Sequence, residues 1–428
     1  MYELPVNPVL VAIFTIFLVT FVKLSRWTGA VAEHHLVMGN RPKYVHSLHK
    51  KYGSCPIVWV TPDEIDICDI NVVHDMYKSG SGVKNIFSVR DPKAHSIRRR
   101  LLSSPMSEAS LRSMQPTIDV NIQLAIRQMR HEMKSRGSID IFKWWYFMST
   151  DLIGQLTFGH TIQLLERGQK DQLAADLETL PRLGMIGSAF PMLLHLAGIL
   201  PLPYFWNAMK ADQRIAEYAD QSLLAYKTSV TRDTANPKPT LFTKLFHADS
   251  DQLSNIDLGS EAQGYIVGGS DNTAITLTYL VWAVFRDAKI KSGLLVELNT
   301  LPEIFGDDDL KKLPFLNNVV RETLRPGANL CGYWIPSGVT VSTQAYSLHR
   351  DPLIFPHPER FDPWRWASAT KEMTHAFMPF GGGSQKKIRL GAAHFFRSFP
   401  DARISTQENM SDSDMEQVCY FIMSPYGK

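Results

Sequence analysis

Apolar residues follow a helical spacing over most of this chain. From residue 95 to about residue 159 they recur three and four positions apart, which predicts helices. Residues 257–285 form one long, mostly apolar stretch, which as a helix would measure about 40 Å. In residues 52–69 short apolar runs alternate with turn residues, a pattern typical of a small β-hairpin. The pattern therefore predicts a largely helical protein with at least one hairpin.

The amino-terminal residues differ from the rest in being almost wholly apolar. Residues 9–22 carry no charge, and the apolar run extends from Leu4 to Leu24, just over the length of about 20 residues that a spanning helix needs. Lys23 and Arg26 lie at its carboxyl side and favour a cytosolic location for the residues that follow. We expect a membrane anchor over residues 1–26, with a signal peptide or a buried helix as alternatives.

Residues 183–209 contain no Asp, Glu, Lys or Arg. Prolines at positions 191, 201 and 203 interrupt the stretch, so a second spanning helix is disfavoured. The pattern predicts two short helices that form an apolar lid, or else a plain buried core.

Glycines interrupt the long helix predicted over residues 257–285. An interior glycine costs about 1 kcal/mol relative to alanine, so the adjacent pair Gly268 and Gly269 requires a reason. Close approach of a flat ligand, a local opening of the helix, or tight packing against another helix would each supply one. Asp271 follows directly, and an acid within an apolar helix is a candidate functional group.

Composition excludes several classes of protein. The 428 residues carry a formal net charge of +3, which gives no indication of nucleic-acid binding. The four cysteines are scattered, at positions 55, 68, 331 and 419, with no CxxC pair. A disulfide framework and a zinc site are therefore disfavoured, and buried thiols in a reducing compartment are expected.

Four motifs occur in an order that one family shares. They are Gly268-Gly269-Ser270-Asp271-Asn272-Thr273, Glu322-Thr323-Leu324-Arg325, Phe361-Asp362-Pro363-Trp364-Arg365-Trp366 and Phe380-Gly381-Gly382-Gly383-Ser384. Each alone is weak, but together they resemble the cytochrome P-450 monooxygenases, and in particular filamentous-fungal biosynthetic members. The resemblance covers nearly the whole chain. It implies a mainly α fold with small β-sheets, preceded by the amino-terminal transmembrane helix, with residues 27–428 as one incomplete catalytic domain.

The resemblance implies catalytic roles for three residues of the long helix. Asp271 would help to deliver protons to dioxygen bound at the haem. Asn272 stands where the family has an alcohol that orients water, and Thr273 brings a hydroxyl one position later. An amide can hydrogen-bond dioxygen or water but cannot relay a proton as a hydroxyl does.

The resemblance also implies residues that hold the cofactor and the fold around it. Glu322, Arg325 and Arg365 would form a buried structural triad beneath the haem. His95, Arg98 and Arg99 would donate to the haem propionates, unless they form a solvated basic face. The loop residues expected at the haem are Phe380, Gly381 and Gly383.

The loop lacks the residue that should bind the iron. In the family Phe-Gly-x-Gly-x is followed by a basic residue, one spacer and the ligand cysteine, but here those positions hold Gln385 and Lys387. No metal ligand can therefore be assigned. Family-like sequence is also interrupted after Trp27 and after Arg325, while the flanks of each gap remain family-like. That pattern favours omitted segments over gradual decay.

Two functional hypotheses follow. The first is a haem-thiolate monooxygenase of fungal secondary metabolism, which binds haem b, receives electrons from NADPH–cytochrome P-450 reductase and oxidises a lipophilic small molecule. It would be a single-pass protein of the endoplasmic reticulum membrane with its catalytic domain facing the cytosol, and no nucleic acid would be a partner. The second is a non-catalytic relic or mis-spliced product without the axial cysteine, which the chain as written favours. The sequence leaves open the substrate and the choice among hydroxylation, epoxidation and desaturation.

Overall fold

Helices make up most of the described structure. The structure is a computed structural model and describes residues 29–52, 57–62, 64–68, 112–189, 203–232, 240, 255–325, 340–342, 344–377, 386–405, 411–420 and 422–425. Its longer helices are α1 (Ala30–Val37), α2 (Arg41–Lys51), α3 (Gln115–Arg136), α4 (Ile141–Phe158), α6 (Gln172–Ala189), α7 (Pro203–Arg232), α8 (Asn255–Arg286), α9 (Ala288–Leu298), α11 (Pro314–Leu324) and α14 (Lys386–Ser398). The short ones are α5 (Leu164–Arg167), α10 (Asp307–Leu310), α12 (Ala345–Leu348), α13 (Lys371–Ala376), and 3₁₀ turns at Pro363–Ser368 and Asp412–Met415.

Two small sheets accompany the helices. Strands β1 (Ile57–Thr61) and β2 (Glu64–Ile67) pair antiparallel, which confirms the predicted hairpin. Strand β3 (Thr340–Ser342) adds to β2 in parallel, so this sheet has the order β1-β2-β3. Strands β4 (Gln417–Tyr420) and β5 (Ile422–Pro425) form a separate antiparallel pair.

The main hydrophobic core lies between α3, α4, α8 and α14. Helix α8 packs along α4 more extensively than any other pair of described elements, and α14 packs against both α3 and α8. The ring of Phe395 on α14 joins three helices, because its centroid lies 6.1 Å from that of Trp145 on α4 and 6.2 Å from that of Phe285 on α8. The long helix predicted over residues 257–285 is thus confirmed, and it runs through the centre of the core.

Local sequence explains where α4 begins and ends. Asp140 precedes the helix, and its carboxylate accepts a hydrogen bond from the Lys143 backbone N–H at 3.0 Å. This satisfies one of the amides that a helix start leaves without an internal partner. Gly159 ends the helix at φ 80°, a left-handed conformation that glycine adopts without a steric penalty.

The predicted membrane topology needs correction. No helix among the described residues combines the length and the apolar character required to cross a bilayer. The structure therefore does not support the single-pass localisation, and that prediction is withdrawn. Residues 1–26, on which it rested, lie outside the described residues.

The apolar stretch 183–209 is also arranged differently from the prediction. Its first residues continue α6, which runs to Ala189, and its last residues begin α7 at Pro203. The described parts thus belong to helices of 18 and 30 residues rather than to two short ones. Residues 190–202, which connect them, lie outside the described residues.

Candidate functional site

The adjacent glycines of α8 lie where this helix approaches α4 most closely. A Cβ atom added at Gly269 would lie 2.5 Å from Cγ1 and 2.7 Å from Cδ1 of Ile153 on α4. The Ser149 hydroxyl on α4 donates to the backbone carbonyl of Ser270. Of the three explanations for the glycine pair, tight packing between helices is therefore the one that Gly269 fulfils.

Asp271 and Asn272 point away from each other. Successive residues of an α-helix are rotated by about 100°, so neighbours in sequence face different surroundings. Asp271 is 4% exposed and lies on the core side of α8. Burial raises the pKa of Tyr146 on α4 well above its usual value, and the nearby charge of Asp271 raises it further. Asn272 is exposed, and Thr273 is half-buried.

Asn272 belongs to an accessible polar stripe along α8. Its side-chain amide donates to the Gly268 carbonyl at 2.8 Å, and the Thr276 hydroxyl donates to the Asn272 carbonyl at 2.7 Å. Residues four apart share one face of a helix, so Gly268, Asn272 and Thr276 line a single surface. One amide N–H of Asn272 is engaged in this way, and the side chain also carries an Oδ1 acceptor and a second N–H on the exposed face.

Glu322 on α11 is the centre of a buried polar cluster. Its Oε1 accepts from Arg325 Nε at 3.1 Å, Arg365 Nε at 3.2 Å and the Asp362 backbone N–H at 3.1 Å. Its Oε2 accepts from Trp366 Nε1 at 2.8 Å. Glu322 is 2% exposed, so these charge-assisted bonds satisfy a carboxylate that has lost its water. The structure thus brings the three residues of the predicted triad into direct contact.

The two arginines of this cluster also fix the segment that follows α12. Arg325 donates from Nη1 to the His349 carbonyl at 2.5 Å and from Nη2 to the Pro358 carbonyl at 2.7 Å. Arg365 donates from Nη1 to the Pro356 carbonyl at 2.7 Å. His349 itself is fully buried and bonds the Ala376 carbonyl at 2.8 Å through Nε2. Burial lowers the His349 pKa to about 3, so the ring is neutral.

The residue at the expected ligand position lies in a helix. Lys387 was predicted in the haem loop, but the structure places it in the first turn of α14. Burial lowers the pKa of its amine to about 8, so most of the side chain stays protonated at neutral pH. Two residues later, Arg389 donates from Nε and Nη2 to the two carboxylate oxygens of Asp307 at 2.9 and 3.0 Å. This buried bidentate pair fixes α14 to α10 at the second turn.

The described residues do not fit a thiolate-ligated haem. Cys68 packs beside β2 against the cluster around Phe355 and Trp366, and Cys419 lies in β4. Neither cysteine is part of α8, α14 or the residues that lead into α14. A protonated lysine has three donors and no lone pair for a metal, so Lys387 is no substitute. No group of three or more His, Cys, Asp or Glu side chains in the described ranges is arranged to hold a metal ion.

Several predicted site residues cannot be placed. The expected propionate donors and the loop residues lie outside the described residues, as do Cys55 and Cys331. These donors and loop residues are His95, Arg98, Arg99, Phe380, Gly381 and Gly383.

Comparison with known proteins gives a consistent match. The family model described as cytochrome P-450 matches residues 29–386. The cytochrome P-450 monooxygenase tazI of Aspergillus terreus is 42% identical, with 94% of this chain and 91% of that protein aligned. The cytochrome P-450 monooxygenases orf2 and azaI of Aspergillus niger are each 37% identical, with 95% and 87% of this chain and 90% and 92% of those proteins aligned.

The alignments also show that this chain lacks internal residues. The match to the Aspergillus terreus protein runs over 445 positions, whereas 94% of 428 residues is about 402. About 40 of those positions therefore lie opposite gaps in this chain. The match to the orf2 protein gives the same result, because its 447 positions include about 407 residues of this chain.

Proposed function

The chain belongs to the cytochrome P-450 family, and from that premise we propose that it derives from a haem-thiolate monooxygenase of fungal secondary metabolism that oxidises a lipophilic small molecule. The observation that carries this proposal is the family match over residues 29–386, together with fungal monooxygenases aligned over most of their length. Residues 27–428 would form its single catalytic domain. The reaction would use dioxygen, haem b and electrons from NADPH–cytochrome P-450 reductase.

We assign the accessible face of α8 to the substrate side of this site. Asn272 carries an acceptor and a donor on that face, and Thr273 adds a half-buried hydroxyl beside it. Asp271 lies on the other side of the helix, within the core, where its charge reaches Tyr146. We therefore expect Asn272 to contact the bound molecule and Asp271 to act through its neighbours.

The cluster around Glu322 has a structural role in this proposal. Its carboxylate joins α11 to the 3₁₀ turn at Pro363–Ser368, and Arg325 joins α11 to the segment after α12. These contacts hold the described residues between α12 and Ala376 in one arrangement. None of the three charged groups needs to touch a substrate for this role.

Deletion of the gene in its source organism tests the function. If the transcript encodes the complete enzyme with its axial cysteine, the proposal predicts that a less oxidised lipophilic precursor accumulates and that its oxidised product disappears. Restoring the gene should reverse both changes. An unchanged metabolite profile in a culture whose transcript encodes the axial cysteine would contradict the proposal.

A second candidate is a non-catalytic product. It is favoured by the side chains described around α14, because Lys387 holds the position of the ligand and neither Cys68 nor Cys419 lies there. Sequencing the transcript across codons 384 to 391 separates the two. Extra codons that include a cysteine would assign the monooxygenase function to a longer polypeptide. A transcript without extra codons in this interval would assign the non-catalytic state to the gene product itself.

A further inference from the structure

A cleft lies at the opposite end of α14 from Lys387. It has a volume of about 430 Å³ and is bounded by α3, the last turns of α14 and the segment between α9 and α10. Its charged and aromatic lining consists of Arg127, Arg130, Glu303, Phe305, His394 and Arg397. His394 follows Lys387 by seven residues, which is about 10 Å along a helix, so the cleft is separate from the site described above.

Positive groups outnumber negative ones in this cleft. Three guanidinium groups line it with one carboxylate, that of Glu303, and none of the three forms an ion pair with Glu303 or with another acid in the described part of the chain. Arginines at other helix contacts do have acidic partners, as Arg214 has in Asp176 and Arg389 has in Asp307. Like charges on facing helices repel each other, so an anion bound between them would be stabilised.

Two of the cleft arginines are held in place by uncharged acceptors. Arg130 donates from Nη2 to the Ser398 hydroxyl at 2.8 Å, which joins α3 to α14. Arg397 donates from Nη1 to the Pro302 carbonyl at 2.7 Å, and its guanidinium carbon lies 5.2 Å from the centroid of the Phe305 ring. A guanidinium carries five N–H donors, so each arginine keeps others for a ligand. Side chains that are already ordered lose less entropy when they bind one.

The third arginine engages no neighbour, and a neutral histidine completes the lining. Arg127 is exposed, shares a face of α3 with Arg130 and has no hydrogen-bond or ion-pair partner within the described ranges. His394 stacks on Phe305, with ring centroids 4.6 Å apart. Burial, with a smaller contribution from the Arg397 charge, lowers the pKa of His394 to about 4. The ring is therefore neutral at pH 7 and leaves the arginines as the positive groups of the cleft.

We propose that this cleft binds the phosphate group of a water-soluble small molecule. Guanidinium groups form paired, charge-assisted hydrogen bonds with phosphate oxygens, and ligand pockets typically measure about 300–1,000 Å³. Compensation of a helix dipole would account for Arg397, which lies in the last turn of α14, but not for Arg127 and Arg130, which precede the last turn of α3. This site goes beyond the proposed function and does not depend on it.

Isothermal titration calorimetry of the full-length chain at low ionic strength tests the proposal. The probes are inorganic phosphate and pyrophosphate, with acetate at the same ionic strength as the reference anion. Arg127→Gln removes a donor that no described residue engages, and Glu303→Gln removes the competing carboxylate. The matched control is Arg321→Gln, because Arg321 is an exposed arginine on α11 outside the cleft. Far-UV circular dichroism establishes that each protein is folded.

We expect pyrophosphate to bind with a Kd below about 1 mM and at least about tenfold more tightly than acetate. Arg127→Gln should weaken this binding by about tenfold, the effect of losing one hydrogen bond between charged groups. Glu303→Gln should strengthen it, because a repelling charge is gone, and Arg321→Gln should leave it unchanged. If Arg127→Gln does not fold, Arg127→Lys replaces it, since lysine keeps the charge but loses the planar fork and should also weaken binding.

Three results would overturn the proposal. The first is that neither phosphate nor pyrophosphate binds, including the case in which the chain binds only to vesicles that contain phosphatidic acid. The second is that acetate binds as tightly as pyrophosphate, which would indicate general attraction of anions. The third is that Arg127→Gln and Arg321→Gln change the affinity equally, which would place the binding elsewhere on the surface.

Discussion

Replacing Glu322 by glutamine should destabilise the protein severely. The change keeps the shape of the side chain but removes the negative charge that faces the guanidinium groups of Arg325 and Arg365. It also places an N–H₂ group among donors, since Trp366 Nε1 and the Asp362 N–H both point at this carboxylate. Removing one partner of a buried ion pair lowers the free energy of unfolding by about 3–5 kcal/mol.

The structure supplies a matched control for this prediction. Glu359 also pairs with an arginine, because Arg350 Nε lies 3.2 Å from its Oε2, but its side chain is 63% exposed. Exposed pairs of this kind contribute about 0–1 kcal/mol, so Glu359→Gln should change stability by less than about 1 kcal/mol. The two substitutions are chemically identical and differ in burial and in the number of donors.

Urea unfolding measures the difference. The free energy of unfolding is extrapolated linearly to water from tryptophan fluorescence and circular dichroism. A loss of 3–5 kcal/mol would be a large part of the roughly 5–15 kcal/mol that native proteins possess. Insolubility of Glu322→Gln beside a soluble Glu359→Gln is the same result in extreme form. If the free energies of unfolding of the two variants differ by less than about 1 kcal/mol, the cluster around Glu322 does not stabilise the fold as described.

Two further perturbations have expected outcomes. Gly269→Ala should lower the free energy of unfolding by about 1–3 kcal/mol, because the new Cβ would overlap Ile153, and adding Ile153→Ala should recover part of that loss in a double-mutant cycle. In the control Gly259→Ala the new Cβ would approach only the flexible end of the Asp220 side chain, so the substitution should be neutral or stabilising. An equal decrease in the free energy of unfolding at both glycines would contradict the packing explanation. His349 has a folded pKa of about 3, below the unfolded value of 6.5, so between those pH values the unfolded state binds an extra proton and stability falls as pH falls. Between pH 7 and pH 5 this protonation should lower the free energy of unfolding of the wild type by about 2 kcal/mol, but not that of His349→Gln. The control His375→Gln, at an exposed position, should show the pH dependence of the wild type. Equal pH dependence in all three proteins would refute the assignment to His349.

Much of the fold could be predicted because the local spacing of apolar residues indicates the helices and strands. The long helix was located to within two residues at each end, since few polar residues interrupt its apolar run. The β1–β2 hairpin was predicted from turn residues between short apolar runs. Residues 183–209 were predicted less well. Prolines mark the ends of helices but do not show how far each helix extends beyond the apolar stretch.

The candidate site could be predicted only in part, because motifs name residues without giving their orientation. Glu322, Arg325 and Arg365 do meet, but the contributions of Trp366 and the His349 carbonyl emerge only when separate segments pack together. Asp271 and Asn272 are neighbours in sequence, yet they face opposite surroundings on α8. The glycine pair could not be interpreted from sequence either, because Ile153, which explains Gly269, lies more than 100 residues away on α4.

We infer that this polypeptide carries the architecture of the family without the thiolate that the family's chemistry requires. The most direct test is the reduced carbon-monoxide absorption spectrum of the unmodified full-length chain, purified after expression with added haem. We predict no Soret band of the thiolate-ligated type, whether or not haem is retained through other contacts. Observation of that band in proportion to bound haem would show that a cysteine of this chain reaches the iron, and would contradict the claim.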